Sequence, residues 1–205
     1  MSSRATAAVD RALDKRQRQA AADVERILVA AATVMERTTP ADPRVSDIVA
    51  EAGTSNKTFY RYFTGKDDLI LAVMERGVGI VASYLDHQMS KEPEPAAQID
   101  RWIRGVLAQV GDPKLANMSR AVTRQLSFTD DSGRADVRVT EPLRDLLYRP
   151  ISQLVIDDPV RATDTVFTAA LGMMRRQLSL DEPARAEDID FFITFCLKGL
   201  GTEQA

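Results

Sequence analysis

Between Gly53 and Leu69 the chain reads GTSNKTFYRYFTGKDDL. On a helix, Phe59 and Phe63 fall one turn apart on one face, while Ser55, Asn56, Lys57, Tyr60 and Arg61 are read as the outward set. That second set is made of donors and cations. Lysine and arginine suit guanine edges and asparagine suits adenine, while the hydroxyls of Tyr60 and Tyr62 can reach phosphate oxygens. Lys66 adds a cation beside the amides that open the next helix. The chemistry on offer is recognition of duplex nucleic acid; the plainer reading is a solvated polar helix on a small bundle. Bond-making chemistry has less to work with. His87 is the only histidine and Cys196 the only cysteine, so there is no metal-spaced cluster and no nucleophile with a histidine partner. No glycine-rich phosphate loop is present either. His87 reads as a dipole partner near a helix end or a surface residue, and Cys196 as a small buried apolar group. No metal and no cofactor are expected.

The elements that must position these side chains are helical. Val24, Ile27, Leu28, Ala31, Val34 and Met35 form one apolar stripe, predicting a first helix over about 18–37. Asp42-Pro43 reads as a cap with proline at the first helical position, opening a short helix over about 43–51 that buries Val45, Ile48 and Val49. Gly53 suits the left-handed residue that closes it, and Thr54 or Ser55 can cap the helix after it. Two short helices joined by a tight glycine-containing turn and braced by a longer one describe a helix-turn-helix. Lys66 opens a long helix to about 89, with Asp67 and Asp68 at the positive end of its dipole. Further helices are expected over about 96–110, 113–127, 136–156 (broken or kinked by Pro142 and Pro150), 159–179 and 186–200. No segment shows strand alternation.

The 205 residues are 44% hydrophobic, enough for a sizeable core. The net charge of -3 does not by itself suggest a nucleic-acid partner, but its distribution is uneven. Residues 1–18 carry Arg4, Arg11, Lys15, Arg16 and Arg18 against Asp10 and Asp14, and residues 54–66 carry three cations and no acid. The start lacks the apolar run of a signal peptide and no stretch has the apolar length of a membrane span, so a cytoplasmic protein without membrane contact is expected.

The stretch VSDIVAEAGTSNKTFYRYFTGKDDLILAV (45–73) resembles the DNA-binding segment of the TetR family of bacterial transcriptional regulators. Ile48, Ala52-Gly53, Ser55, Thr58-Phe59-Tyr60, Tyr62-Phe63, Lys66 and Leu69 match in register without a gap. The resemblance implies an all-α fold with an N-terminal three-helix DNA-binding domain and a C-terminal helical ligand-binding and dimerisation domain. The expected division is a flexible basic arm over 1–17, the reading domain over 18–65 and the sensor over 66–205. It also implies a homodimer, most simply a repressor released from a palindromic operator in double-stranded DNA by a small-molecule effector. Carried over by position, the DNA contacts are Thr54, Ser55, Asn56, Lys57, Thr58, Tyr60, Arg61, Tyr62 and Lys66, with Arg44 and Ser46 at the start of the preceding helix. Lys57 stands where the family often has glycine, Arg44 where it often has threonine, and Gly65 where it often has serine. These departures bear on which sequence is read. The rival readings are an all-helical enzyme or small-molecule carrier, and a family member that binds DNA broadly.

In the C-terminal two thirds, a pocket among the middle helices would draw on Trp102, Met118, Val122, Gln125, Phe128, Tyr148, Phe167 and Met174; each of these also reads as ordinary core. The last helix, IDFFITFCLKGL (189–200), is apolar on more than one face, and so is the one before it. Val166, Ala170, Met173, Phe192 and Cys196 are therefore candidates for a four-helix dimer interface, against burial of the pair within one subunit.

Overall fold

The computed structural model describes residues 3–38, 43–108, 134–180 and 185–202. Eight helices make up the described residues: α1 (Arg4–Thr38), α2 (Val45–Glu51), α3 (Asn56–Tyr62), α4 (Lys66–Met89), α5 (Pro95–Leu107), α6 (Arg134–Ile151), α7 (Pro159–Leu180) and α8 (Ala186–Gly199). The all-α fold expected from the helical periodicity is the one found. The helix expected over about 113–127, with Met118, Val122, Gln125 and Phe128, lies outside the described residues.

The chain divides into two compact units, Met1–Val73 and Met74–Ala205. In the first, α2 packs on α1 and α3 packs on α2. Ile27, Ala31, Val34 and Met35 of α1 are buried, as are Ile48 and Val49 of α2, Phe59 and Phe63 at α3, and Leu69, Ile70 and Val73 of α4. The helix expected from about residue 18 begins instead at Arg4. The basic run ahead of 18 holds no glycine or proline, and alanine, arginine, lysine and glutamine favour the helix that the core residues start. At α2 the helix begins at Val45 with Arg44 at the N-cap, making no side-chain cap bond. Asp42, the expected cap, lies outside the described residues.

The second unit is built around one apolar cluster. Leu85 and Met89 of α4 meet Ile99, Trp102, Ile103 and Val106 of α5, with Leu143, Leu147 and Ile151 of α6, Val166 and Ala170 of α7, and Ile193 and Leu197 of α8. Trp102 is fully buried, its indole N–H donates to the Leu143 carbonyl at 3.0 Å, and its ring lies 5.9 Å from that of Phe167. Three helices are thereby held by one side chain whose polar atom is satisfied. The helix expected over about 136–156, broken or kinked at Pro142 and Pro150, runs through both prolines as one element and ends at Ile151, one residue after Pro150. Each proline removes one backbone donor, and the buried row Leu143, Leu146, Leu147 and Ile151 holds the helix against its neighbours. The cap-plus-proline start of α7 is as expected, with the Arg161 amide donating to Asp158 Oδ1 at 2.9 Å. No described helix is long and apolar enough to cross a membrane.

Candidate nucleic-acid interface

The turn between α2 and α3 is set by backbone bonds. Ala52 and Gly53 amides donate to the Ile48 and Ala50 carbonyls, and the Thr54 amide donates to Val49 at 3.1 Å. Gly53 sits at φ +58°, a left-handed conformation that glycine adopts without the Cβ penalty. Ser55 then caps α3, its Oγ accepting the Thr58 amide at 3.1 Å and lying 3.0 Å from the Thr58 hydroxyl. Phe59 is fully buried, Phe63 is buried one turn on, and their rings lie 5.7 Å apart. With those two faces fixed inward, Asn56, Lys57, Tyr60 and Arg61 are left in solvent, Tyr60 at 61% exposure. The helix is short, but its orientation is fixed at both ends. At the far end Asp68 reaches back to accept the Thr64 amide at 2.8 Å and its hydroxyl at 3.0 Å, holding the turn that starts α4.

The remaining expected contact residues are more varied. Arg44 and Ser46 are exposed at the start of α2, the Ser46 hydroxyl donating to Asp47 at 3.3 Å. Thr54, Thr58 and Lys66 are half-buried. Tyr62 is half-buried and its hydroxyl donates to Asp23 Oδ2 at 3.2 Å, so it braces α3 against α1 rather than standing free for phosphate. The Arg61 guanidinium lies over its ring at 5.8 Å. Asp23 is a residue that the sequence reading missed. It is 8% exposed and also accepts from Arg26 at 2.6 Å and Gln19 at 3.0 Å. Its signal was available: it falls four residues before Ile27, on the apolar stripe, where a lone carboxylate needs partners.

In the second unit the ligand candidates separate. Trp102 is fully buried, Phe167 and Met174 are half-buried and Tyr148 is exposed, while Met118, Val122, Gln125 and Phe128 lie outside the described residues. Gln177, not singled out in the sequence, is buried, and its Oε1 has no hydrogen-bond partner among the described residues. Of the interface candidates, Val166, Ala170 and Cys196 belong to the subunit's own core, and Met173 and Phe192 are half-buried. The exposed aromatics of α8 are Phe191 at 72% and Phe195 at 68%, stacked 6.4 Å apart. They occupy the face opposite Ile193 and Leu197.

Residues 27–73 match the family model for bacterial regulatory proteins of the tetR family. No curated protein matches the chain. Among solved structures, the chain is similar to a TetR transcription regulator from Haloarcula marismortui, at 18% identity and a TM-score of 0.67, over 88% of this chain and 97% of that one. It is similar to the transcriptional regulator FadR from Bacillus subtilis, solved with stearoyl-CoA, at 16% identity and a TM-score of 0.67, over 88% and 99%. It is also similar to RolR, solved with resorcinol, at 18% identity and a TM-score of 0.64, over 91% of each chain. The structural likenesses establish the shared fold, and the matched residues run from the buried Ile27 of α1 through α2 and α3 into α4. Residues 27–73, which hold α2, α3 and the turn between them, are thus the N-terminal domain of the tetR family of bacterial regulatory proteins.

Proposed function

We propose that the protein is a homodimeric repressor that binds a palindromic operator through α3 and releases it when a small molecule enters the C-terminal unit. The observation that carries the DNA half is the division of α3: Phe59 buried and Phe63 buried behind it, Asn56, Lys57, Tyr60 and Arg61 turned to solvent. Asn56, Lys57 and Arg61 are the base readers in this reading, with Lys57 and Arg61 suited to guanine and Asn56 to adenine. Arg44, Ser46, Thr54, Ser55, Thr58, Tyr60 and Lys66 face phosphates, which fix register without reading sequence. Two copies present two such helices about 34–36 Å apart, one turn of the duplex.

Dimerisation is assigned to the outer face of α8, where Phe191 and Phe195 stack in solvent, together with the exposed side of α7. Two large aromatic side chains so exposed are an apolar surface that a symmetric partner covers. The sensor reading is supported by relatives of the same fold that hold stearoyl-CoA and resorcinol. Gln177, buried with an unsatisfied oxygen, supplies a polar group of the kind that orients a ligand in an apolar site. A ligand acts here only through its preference for one of two conformations, a coupling of about 1–3 kcal/mol.

The DNA assignment is tested by selecting duplexes from a random-sequence pool and measuring affinity at fixed salt. Lys57→Ala and Tyr60→Ala are each expected to weaken binding by roughly 1–3 kcal/mol, with Lys57→Ala also relaxing the preference at its base position. Wild-type affinity in both variants would remove α3 from the interface.

A further inference from the structure

The first four turns of α1 have no role in the fold. Apart from half-buried Ala7, the described side chains from Ser3 to Arg18 are exposed, while the same helix is buried from Ile27 onward. Four of its five cations are nevertheless sorted, Arg16 alone falling on the side of Val9 and Leu13. Arg4, Arg11, Lys15 and Arg18 follow one another at seven, four and three residues, which puts all four on one face of the helix. Asp10 and Asp14 lie along one edge of that face. On the opposite face Val9 and Leu13, 57% and 56% exposed, continue the stripe that Ile27, Ala31 and Val34 bury further along. Arg18 donates to the Asp14 carbonyl at 3.3 Å; among the described residues Arg4, Arg11 and Lys15 make no ion pair. An isolated helix of this length is marginal in water, so a basic row on it gains from an acidic surface to lie against.

Its position selects that surface. Asp23 ties α1 to Tyr62, the last residue of α3, and Gln19 donates to the same carboxylate. The basic extension therefore leaves the domain beside the end of the reading helix. From Arg4 to Arg18 it spans roughly 20 Å at 1.5 Å per residue. We infer that this extension is a second DNA-binding element, whose row Arg4, Arg11, Lys15 and Arg18 lies along phosphates flanking the half-site read by α3. The inference rests on the assignment of α3 to DNA. It adds affinity and salt dependence and carries no base specificity.

The test uses the full-length protein and a variant with Arg4→Gln, Arg11→Gln, Lys15→Gln and Arg18→Gln. Glutamine keeps the helix propensity, and circular dichroism confirms an unchanged melting curve. The probes are a duplex enriched from a random pool, with long flanks, and the same duplex trimmed to the selected core. The variant is expected to bind the long duplex at least about tenfold more weakly. The slope of log affinity against log salt should fall by about 0.9 for each phosphate that the variant no longer neutralises. Trimming should weaken the wild type and leave the variant unaffected. Unchanged affinity and slope on the long duplex overturn the inference, while weaker binding by Lys57→Ala alone leaves the α3 assignment standing. If the wild type selects no duplex, both fall together. If the four cations are needed only for binding vesicles of phosphatidylserine and phosphatidylcholine, the row belongs to a membrane surface and the inference is overturned.

Discussion

Single residues in this chain act through what surrounds them. Tyr60 and Tyr62 are two positions apart, yet one is in solvent and the other donates to a buried aspartate. Cys196 shows the same dependence on context. It is buried on the inner side of α8, and burial pushes its thiol from 9.0 up to about 11. The folded chain therefore holds that proton more tightly than the unfolded chain does. The associated stability is complete below about pH 9 and is lost as pH rises through about 11. We expect a Cys196→Ala variant to lose less stability than wild type between pH 9 and 11 in denaturant titrations. We also expect the native thiol to resist alkylation at pH 8 and to react fast in denaturant.

At the level of helices and turns, the short elements survive because their ends are fixed. A seven-residue helix such as α3 is too short to persist alone. Ser55 supplies the cap at one end and Phe63 anchors the other. Ser55→Ala is expected to cost about 1 kcal/mol in chemical denaturation, and Ser55→Gly only a few tenths. In the second unit α4 and α5 are held close by Gly105. A Cβ at that position would run into the Leu85 side chain, which is itself fully buried. Gly105→Ala should therefore destabilise by about 1–3 kcal/mol in spite of alanine's better helix propensity. In a double-mutant cycle with Leu85→Ala, the penalty of Gly105→Ala should shrink, because the clash is with that side chain.

For the protein as a unit, the division of apolar surface decides between a monomer and an assembly. The second unit already has a closed core, with Trp102 at its centre and ion pairs such as Arg144–Asp164 and Arg104–Asp190 on its exterior. Exposed pairs of that kind add at most about 1 kcal/mol each. Phe191 and Phe195 stand outside that core, on the far side of α8 from Ile193 and Leu197. On the proposed dimer, their replacement by glutamate is expected to leave the fold intact and to shift sedimentation from dimer to monomer at micromolar concentration. DNA affinity should fall with it, since two joined heads bind far more tightly than one. A Phe191→Glu, Phe195→Glu variant that still sediments as a dimer would place the interface elsewhere.

Much of the local structure was legible in the order of residues alone. Helical periodicity, Gly53 at a left-handed turn, the Asp158-Pro159 start and the order of side chains on α3 are properties of near neighbours in the chain. Helix starts were less so: α1 extends to Arg4 because nothing in its basic run breaks a helix that the core begins. Packing was needed to choose which of two apolar faces is spent inside the subunit. Val166, Ala170 and Cys196 suited an interface until packing buried them, and the aromatics left outside, Phe191 and Phe195, were not among the residues singled out in the sequence. It also took the fold to bring Asp23 to Tyr62 across 39 residues of sequence. A residue's face on its helix follows from the local spacing of side chains, whereas what that face meets depends on contacts between helices that no local pattern encodes.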